Sequence, residues 1–205
     1  MKVFIPGLCI AIVGQLIRMV TIGMEYIVRG GKNRRIYADG LVTDGMFSHC
    51  RNPMYVGNIM LVIGMSILSN NIMAVIVMIP FFIFIYQAIV RAEEAFLRDK
   101  FGAGFDTYCA NVNRWMPHLN GISQTFRNSN FSIKKVMFKE YGTTFLWTLG
   151  ATLLFVYNTY WFATDFTFER HLVGPVITLA LLLTFYLTTR YLKKSERRRK
   201  RTVNS

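Results

Sequence analysis

HCRNPMYVGNIMLVIGMSILSNNIMAVIVMIPFFIFIYQAIV, residues 49–90, decides the fold. A polar opening leads into two apolar runs, 56–68 and 72–90, separated by Ser69-Asn70-Asn71. Paired apolar runs around a short polar break read as a hydrophobic helix hairpin. The opening, HCRNPMYVG, carries more polar chemistry than a helix end needs, as expected of a site at a bilayer surface.

Outward from this hairpin the chain keeps the same character. Its 205 residues are 53% hydrophobic and 15% aromatic, with a mean hydropathy of +0.32. A soluble domain of this size does not usually need so much apolar sequence. Further apolar blocks cover residues 1–28, 145–162 and 172–189. A bilayer span takes roughly 20 apolar residues, and four of the five blocks come close to that length. The run 56–68 is short even if its helix starts at Pro53, so it is tilted, buried by neighbours or partly embedded. The fold class expected is all-α: a polytopic membrane helix bundle of about five transmembrane helices with a cytoplasmic-face cofactor site. The first block contains an arginine and shows no small-residue cleavage pattern before Gly30. It is expected to be a retained helix and not a signal peptide.

Charge placement orients this bundle. The net charge is +13, and 21 of the 24 Lys and Arg lie in three stretches, 29–51, 91–139 and 190–201. The intervening connections, at 69–71 and 163–171, hold only Arg170. Alternation of this kind follows the positive-inside rule. It puts the N-terminus outside and the motif loops and C-terminus in the cytoplasm. The basic tail, residues 193–201, is a topogenic, anionic-lipid-binding end, at roughly 1 kcal/mol per basic residue near the surface. Nucleic acid is not an expected partner, because no aromatic-basic platform accompanies the charge. The three cysteines make no CxxC pair, and the three histidines have no zinc spacing, so no metal site is expected.

Three divisions follow: residues 1–118 as a membrane core, 119–140 as a cytoplasmic linker, and 141–205 as a C-terminal helix hairpin with its basic tail. The polar stretch 120–132 lacks apolar periodicity and reads as loop. Asp39-Gly40 and Asp44-Gly45 are turn signals before the motif. Pro53 belongs at the first turn of the next helix. Arg51 and Asn52 then sit at a helix N-terminus, where free N–H groups favour an anionic ligand. Tyr55 offers a ring and a hydroxyl at the same level. Beyond the hairpin, Gln87, Arg91, Glu94 and Arg98 share one helical stripe. On helix chemistry alone that stripe reads as a solvated face with Glu94–Arg98 pairing. Trp115 suits a membrane interface, and Trp115 or Tyr108 would also hold a cationic ligand by its ring face. Arg18 and Glu25 fall on one face of the first helix. An arginine within a span marks either carboxylate recognition or a structural pair with Glu25.

The ordered set Gly45-Met-Phe47, Arg51-Asn-Pro-Met-Tyr-Val-Gly57, Glu93-Glu94, Leu97, Phe101-Gly102, Tyr108, Val112 and Arg114-Trp-Met-Pro117 resembles a known family. It is similar to the isoprenylcysteine carboxyl methyltransferase and phospholipid methyltransferase superfamily of membrane enzymes. Gly14, Arg18 and Gly23 in the preceding helix add to the resemblance, which covers residues 14–117. It implies a methyltransferase that uses S-adenosyl-L-methionine without a metal. The cofactor-binding residues so implied are Arg51, Asn52, Pro53, Tyr55, Gly57, Glu93, Glu94, Tyr108 and Trp115. Arg51, Glu94 and Arg18 are the catalytic candidates. The acceptor implied is lipophilic or small: a prenylcysteine-like carboxylate, a phospholipid amine or a thiol. Asn52 stands where many members carry histidine, so a histidine base at that position is excluded. The hairpin from 145 to 189 has no counterpart in the recognised pattern. Two other readings use the same residues: a non-catalytic membrane scaffold, and a sterol-reductase-like enzyme using NADPH.

Overall fold

The computed structural model describes residues 4–24, 40–162 and 168–203. Among them every regular element is helical. The order is α1 (Phe4–Met24), a 3-10 turn (Gly45–Ser48), α2 (Pro53–Leu68), α3 (Ile72–Phe101), α4 (Ala103–Asn111), α5 (Ile122–Asn128), α6 (Ile133–Phe162) and α7 (Phe168–Val203). The expected all-α membrane bundle is therefore observed. Glu25, Asp39 and the basic cluster Arg29, Lys32, Arg34 and Arg35 lie outside the described residues, as does the expected Arg18–Glu25 pair.

Among the described residues three helices are long and apolar enough to cross a membrane: Phe4–Met24, Ile72–Phe101 and Leu172–Glu196. The run 145–162 lies in the 30-residue α6, where Thr148, Thr152, Asn158 and Thr159 dilute its apolar character. Several of these polar groups are satisfied inside the helix, with Thr148 and Thr152 donating to the carbonyls of Thr144 and Thr148. Asn158 instead donates to the Leu68 carbonyl at 2.9 Å, capping the last turn of α2. α2 has 16 residues, about 24 Å at a rise of 1.5 Å per residue, so it falls short of a bilayer core of about 30 Å. It is packed between α1, α3 and α6.

The α1–α2 seam is built from glycine. Gly7, Ala11, Gly14 and Arg18 are buried along one face of α1, and Gly57, Leu61, Gly64 and Leu68 along one face of α2. A Cβ at Gly64 would stand 2.6 Å from the Gly7 carbonyl oxygen, and one at Gly14 would stand 2.7 Å from that of Gly57. Backbone meets backbone, the small-residue packing favoured where lipid removes the hydrophobic drive for helix association. At the far end of α2, Asn70 takes a φ of 52° and the Asn71 side chain accepts from Met73 N at 2.9 Å. The Ser69-Asn70-Asn71 break is thus a tight turn with an N-cap.

α6 and α7 form the expected second hairpin. Tyr186 packs its ring on Tyr141 and Phe145, and Lys134 pairs with Glu196 at 2.8 Å. The loop reading of 120–132 is corrected, since α5 occupies Ile122–Asn128. It buries no residue, and that is why no apolar period announces it. It starts after Gly121 at a φ of 78°, and Thr125 ties it to His49 at 2.8 Å. α6 then begins at Ile133, which brings Glu140 into the bundle.

Because the seam is backbone against backbone, no rotamer change can make room in it. Gly64→Leu should destabilise the detergent-solubilised protein by about 1–3 kcal/mol, read as a lowered melting temperature by circular dichroism. Gly174→Ala, at a glycine with nothing within 4 Å of its Cβ position, should leave the melt unchanged.

Candidate functional site

The motif turn and the segment 113–118 are sixty residues apart and lie against each other. Arg51 N donates to the Asn113 carbonyl at 2.9 Å, and His118 N to the His49 carbonyl at 3.1 Å. Asn52 is the residue before α2, with Pro53 in the first turn as expected. Its side-chain amide donates to the Arg114 carbonyl at 3.2 Å, so it ties the two segments together and does not cap the helix. The Cys50 thiol points at the carbonyls of Arg114 and Trp115, and burial pushes its pKa up. Tyr108 donates its hydroxyl to the Phe47 carbonyl at 2.7 Å. Burial, more than the neighbouring Cys50, raises that phenol and keeps it a neutral donor. His49 is buried, with its Nδ1 3.0 Å from His118 Nδ1.

α3 brings its two glutamates to this strap in different roles. Glu94 is 6% exposed. Arg114 grips it with both prongs, Nε to Oε1 at 3.0 Å and Nη2 to Oε2 at 2.6 Å. That hydrogen bonding holds the Arg114 guanidinium firmly protonated. Arg51 Nε stands 3.7 Å from Glu94 Oε1. It is close enough to pair by charge and too far to hydrogen-bond, so Arg51 Nε is a buried donor without an acceptor. Glu93 is half-buried and accepts from the Tyr55 hydroxyl at 2.8 Å. Tyr55 packs on Tyr86 with ring centroids 5.6 Å apart. The Trp115 indole donates to Gln87 Oε1 at 3.1 Å.

The expected Glu94–Arg98 pairing is absent. Arg98 instead bonds Asp106 at 2.8 Å, both side chains more than half exposed. The cause is Gly102. Its φ of 51° turns the chain back so that α4 runs along the end of α3 and delivers Asp106, then Arg114. Arg91 is exposed, so the stripe from Gln87 to Arg98 does not act as a unit.

Arg51, Asn52, Pro53, Tyr55, Glu93, Glu94, Tyr108 and Trp115 thus gather at one end of the α2–α3 hairpin. Gly57 faces α1, its Cβ position 2.7 Å from the Gly14 carbonyl oxygen. Arg18 lies below the others and is 2% exposed. Its partners are Glu140, at 3.0 Å from both Nε and Nη2, together with Asn58 and Thr143. Of the two roles weighed for Arg18 the structure shows an internal ion pair, and its counter-charge is Glu140. Sequence reasoning missed Glu140, Asn58 and Gln15. Their one signal was polarity inside or beside apolar runs, which carries no information about a partner 122 positions away.

Such a constellation has the chemistry of a binding cradle. Two carboxylates and two guanidiniums balance in charge, one guanidinium N–H has no acceptor, and aromatic faces stand alongside. It suits a ligand with a carboxylate, hydroxyl or ammonium groups and a flat ring.

Comparison with known proteins covers part of the chain. The family model described as phospholipid methyltransferase matches residues 5–104. The nickel-cobalt-cadmium resistance protein NccN of Alcaligenes xylosoxydans xylosoxydans is 28% identical over 66% of this chain and 66% of its own length. The cobalt-zinc-cadmium resistance protein CzcN of Cupriavidus metallidurans is 27% identical over 72% of this chain and 62% of its own. The chain thus spans slightly less than two thirds of the length of these curated relatives. No solved structure matches it. Residues 5–104, which carry α1, the motif turn and the α2–α3 hairpin with both glutamates, are thus similar to the phospholipid methyltransferase family.

Proposed function

We propose that the protein is an integral membrane methyltransferase that transfers the methyl group of S-adenosyl-L-methionine to a lipophilic acceptor. The observation that carries this reading is the cradle of Arg51, Tyr55, Glu93, Glu94 and Arg114, with its unpaired Arg51 Nε. When bound, the cofactor supplies a methyl on a cationic sulfur, already activated for displacement. Arg51 would take its carboxylate through the donor left free. Glu93 would accept from its ammonium or ribose hydroxyls, and the rings of Tyr55 and Tyr86 would line the adenine side. Glu94, held by two guanidiniums, aims Arg51. Its role is therefore positioning, while Glu93 is the carboxylate that meets the ligand. The chain's remaining task is to exclude water and align the acceptor.

A second feature favours a lipophilic acceptor over a small one. A shallow cavity of ≈ 320 Å³, largely open to the outside of the bundle, lies between α2 and α3 and is lined by Leu61, Val62, Met65, Met78 and Phe82. Phe82, Tyr86 and Tyr55 then form a row of rings from that cavity to Glu93. An acyl or prenyl tail in the cavity would hold a carboxylate, amine or thiol head near the cradle. The basic bias of 91–139 and 190–201 supports a cytoplasmic site and contact of the tail with anionic lipid.

Isothermal titration of the solubilised protein with S-adenosylhomocysteine should give binding that Arg51→Ala and Glu93→Gln each weaken about tenfold or more, as expected for bonds to charged groups. A folded parent that ignores S-adenosylhomocysteine would sink the enzyme reading. Binding of NADPH instead would point to reductase chemistry, and binding of neither to a scaffold. With labelled S-adenosylmethionine and membrane lipid extract, the label should move into the organic phase. Ala74→Trp, which fills the cavity from α3, should slow that transfer and leave S-adenosylhomocysteine affinity as in the parent.

A further inference from the structure

α6 lies outside the residues that the family model matches, yet it supplies the counter-charge for the one arginine of α1. Glu140 is 1% exposed. Its carboxylate accepts from Arg18 Nε and Nη2, each at 3.0 Å, and from Gln15 Nε2 at 3.1 Å. Gln15 also reaches Thr144 at 3.1 Å. Buried charge in a membrane bundle is tolerated only when so paired.

This cluster touches the site through α2. The Arg18 side chain lies across Gly57, whose Cβ position is 2.6 Å from Arg18 Cγ, and its Nη1 bonds Asn58. Asn58 follows Tyr55 by one turn, on the same face of α2. Tyr86 packs on Tyr55 from α3. The rotation of α2 that aims Tyr55 at Glu93 is thus set from below by Arg18, and the place of Arg18 is set by α6.

We propose that Glu140 is a positioning residue of the methyltransferase site: acting through Arg18, it fixes the first turns of α2 and makes the C-terminal hairpin part of the catalytic unit. This inference rests on the cofactor reading given above. It departs from any view of the hairpin as a separate membrane anchor.

A double-mutant cycle tests it. S-adenosylhomocysteine affinity is measured by isothermal titration for the full-length parent, Glu140→Gln, Arg18→Gln and the double variant, each below its own melting temperature. Glu140→Gln should weaken binding about tenfold, and the double variant should lose no more than either single change, since one residue acts through the other. Losses that simply add would overturn the proposal. So would a Glu140→Gln protein that melts lower but binds like the parent, because the pair would then serve packing alone. Should Glu140→Gln fail to fold, Glu140→Asp keeps the charge and withdraws it by one methylene. Weakened binding is again expected there, and parental affinity again overturns the proposal. Absence of binding by the parent overturns the cofactor reading together with this inference, whereas parental binding that survives both substitutions overturns this inference alone.

Discussion

The backbones of α1 and α2 touch, and the rest of the structure follows from that approach. Glycines at 7, 14, 57 and 64 remove the side chains that would hold the helices apart. With the axes so close, the Arg18 side chain passes over Gly57 to reach Asn58, and α6 can close on both helices with Glu140. The polar end inherits this rigidity. α2 begins at a fixed height and rotation, so the Pro53 turn meets the 113–118 strap and Tyr55 meets Glu93.

The two adjacent glutamates illustrate how one helix can divide labour between like residues. They are one position apart, so about 100° of helical turn separates them. Glu94 points into a nest of guanidiniums and is neutralised there. Glu93 points along the aromatic row and accepts from a phenol. Charge balance of the whole cradle leaves no large field of one sign, which matches a ligand that itself carries both signs.

Much of this was legible in the sequence because it is local. The helix hairpin, its tight turn, Pro53 in a first helical turn and the clustering of Arg51, Tyr55, Glu93 and Glu94 follow from run lengths, turn residues and an ordered motif. What was not legible is long-range pairing among polar residues. Nothing at Arg18 distinguishes a partner at Glu25 from one at Glu140, and spacing favoured the nearer one. The pairing of Glu94 with Arg114 over Arg98 depended on how far Gly102 turns the chain, a backbone angle and not a pattern. α5 escaped because it buries no face, and periodicity reports only burial.

The separation of Arg18 from Glu140 in the chain has a consequence for how the protein is made. Ribosomes add about 5–20 residues per second, so the 122 positions between the two correspond to about 6–25 s of synthesis. For that interval α1 exists with its arginine and without the carboxylate that neutralises it. The buried charge of α1 is therefore matched only once α6 has been made.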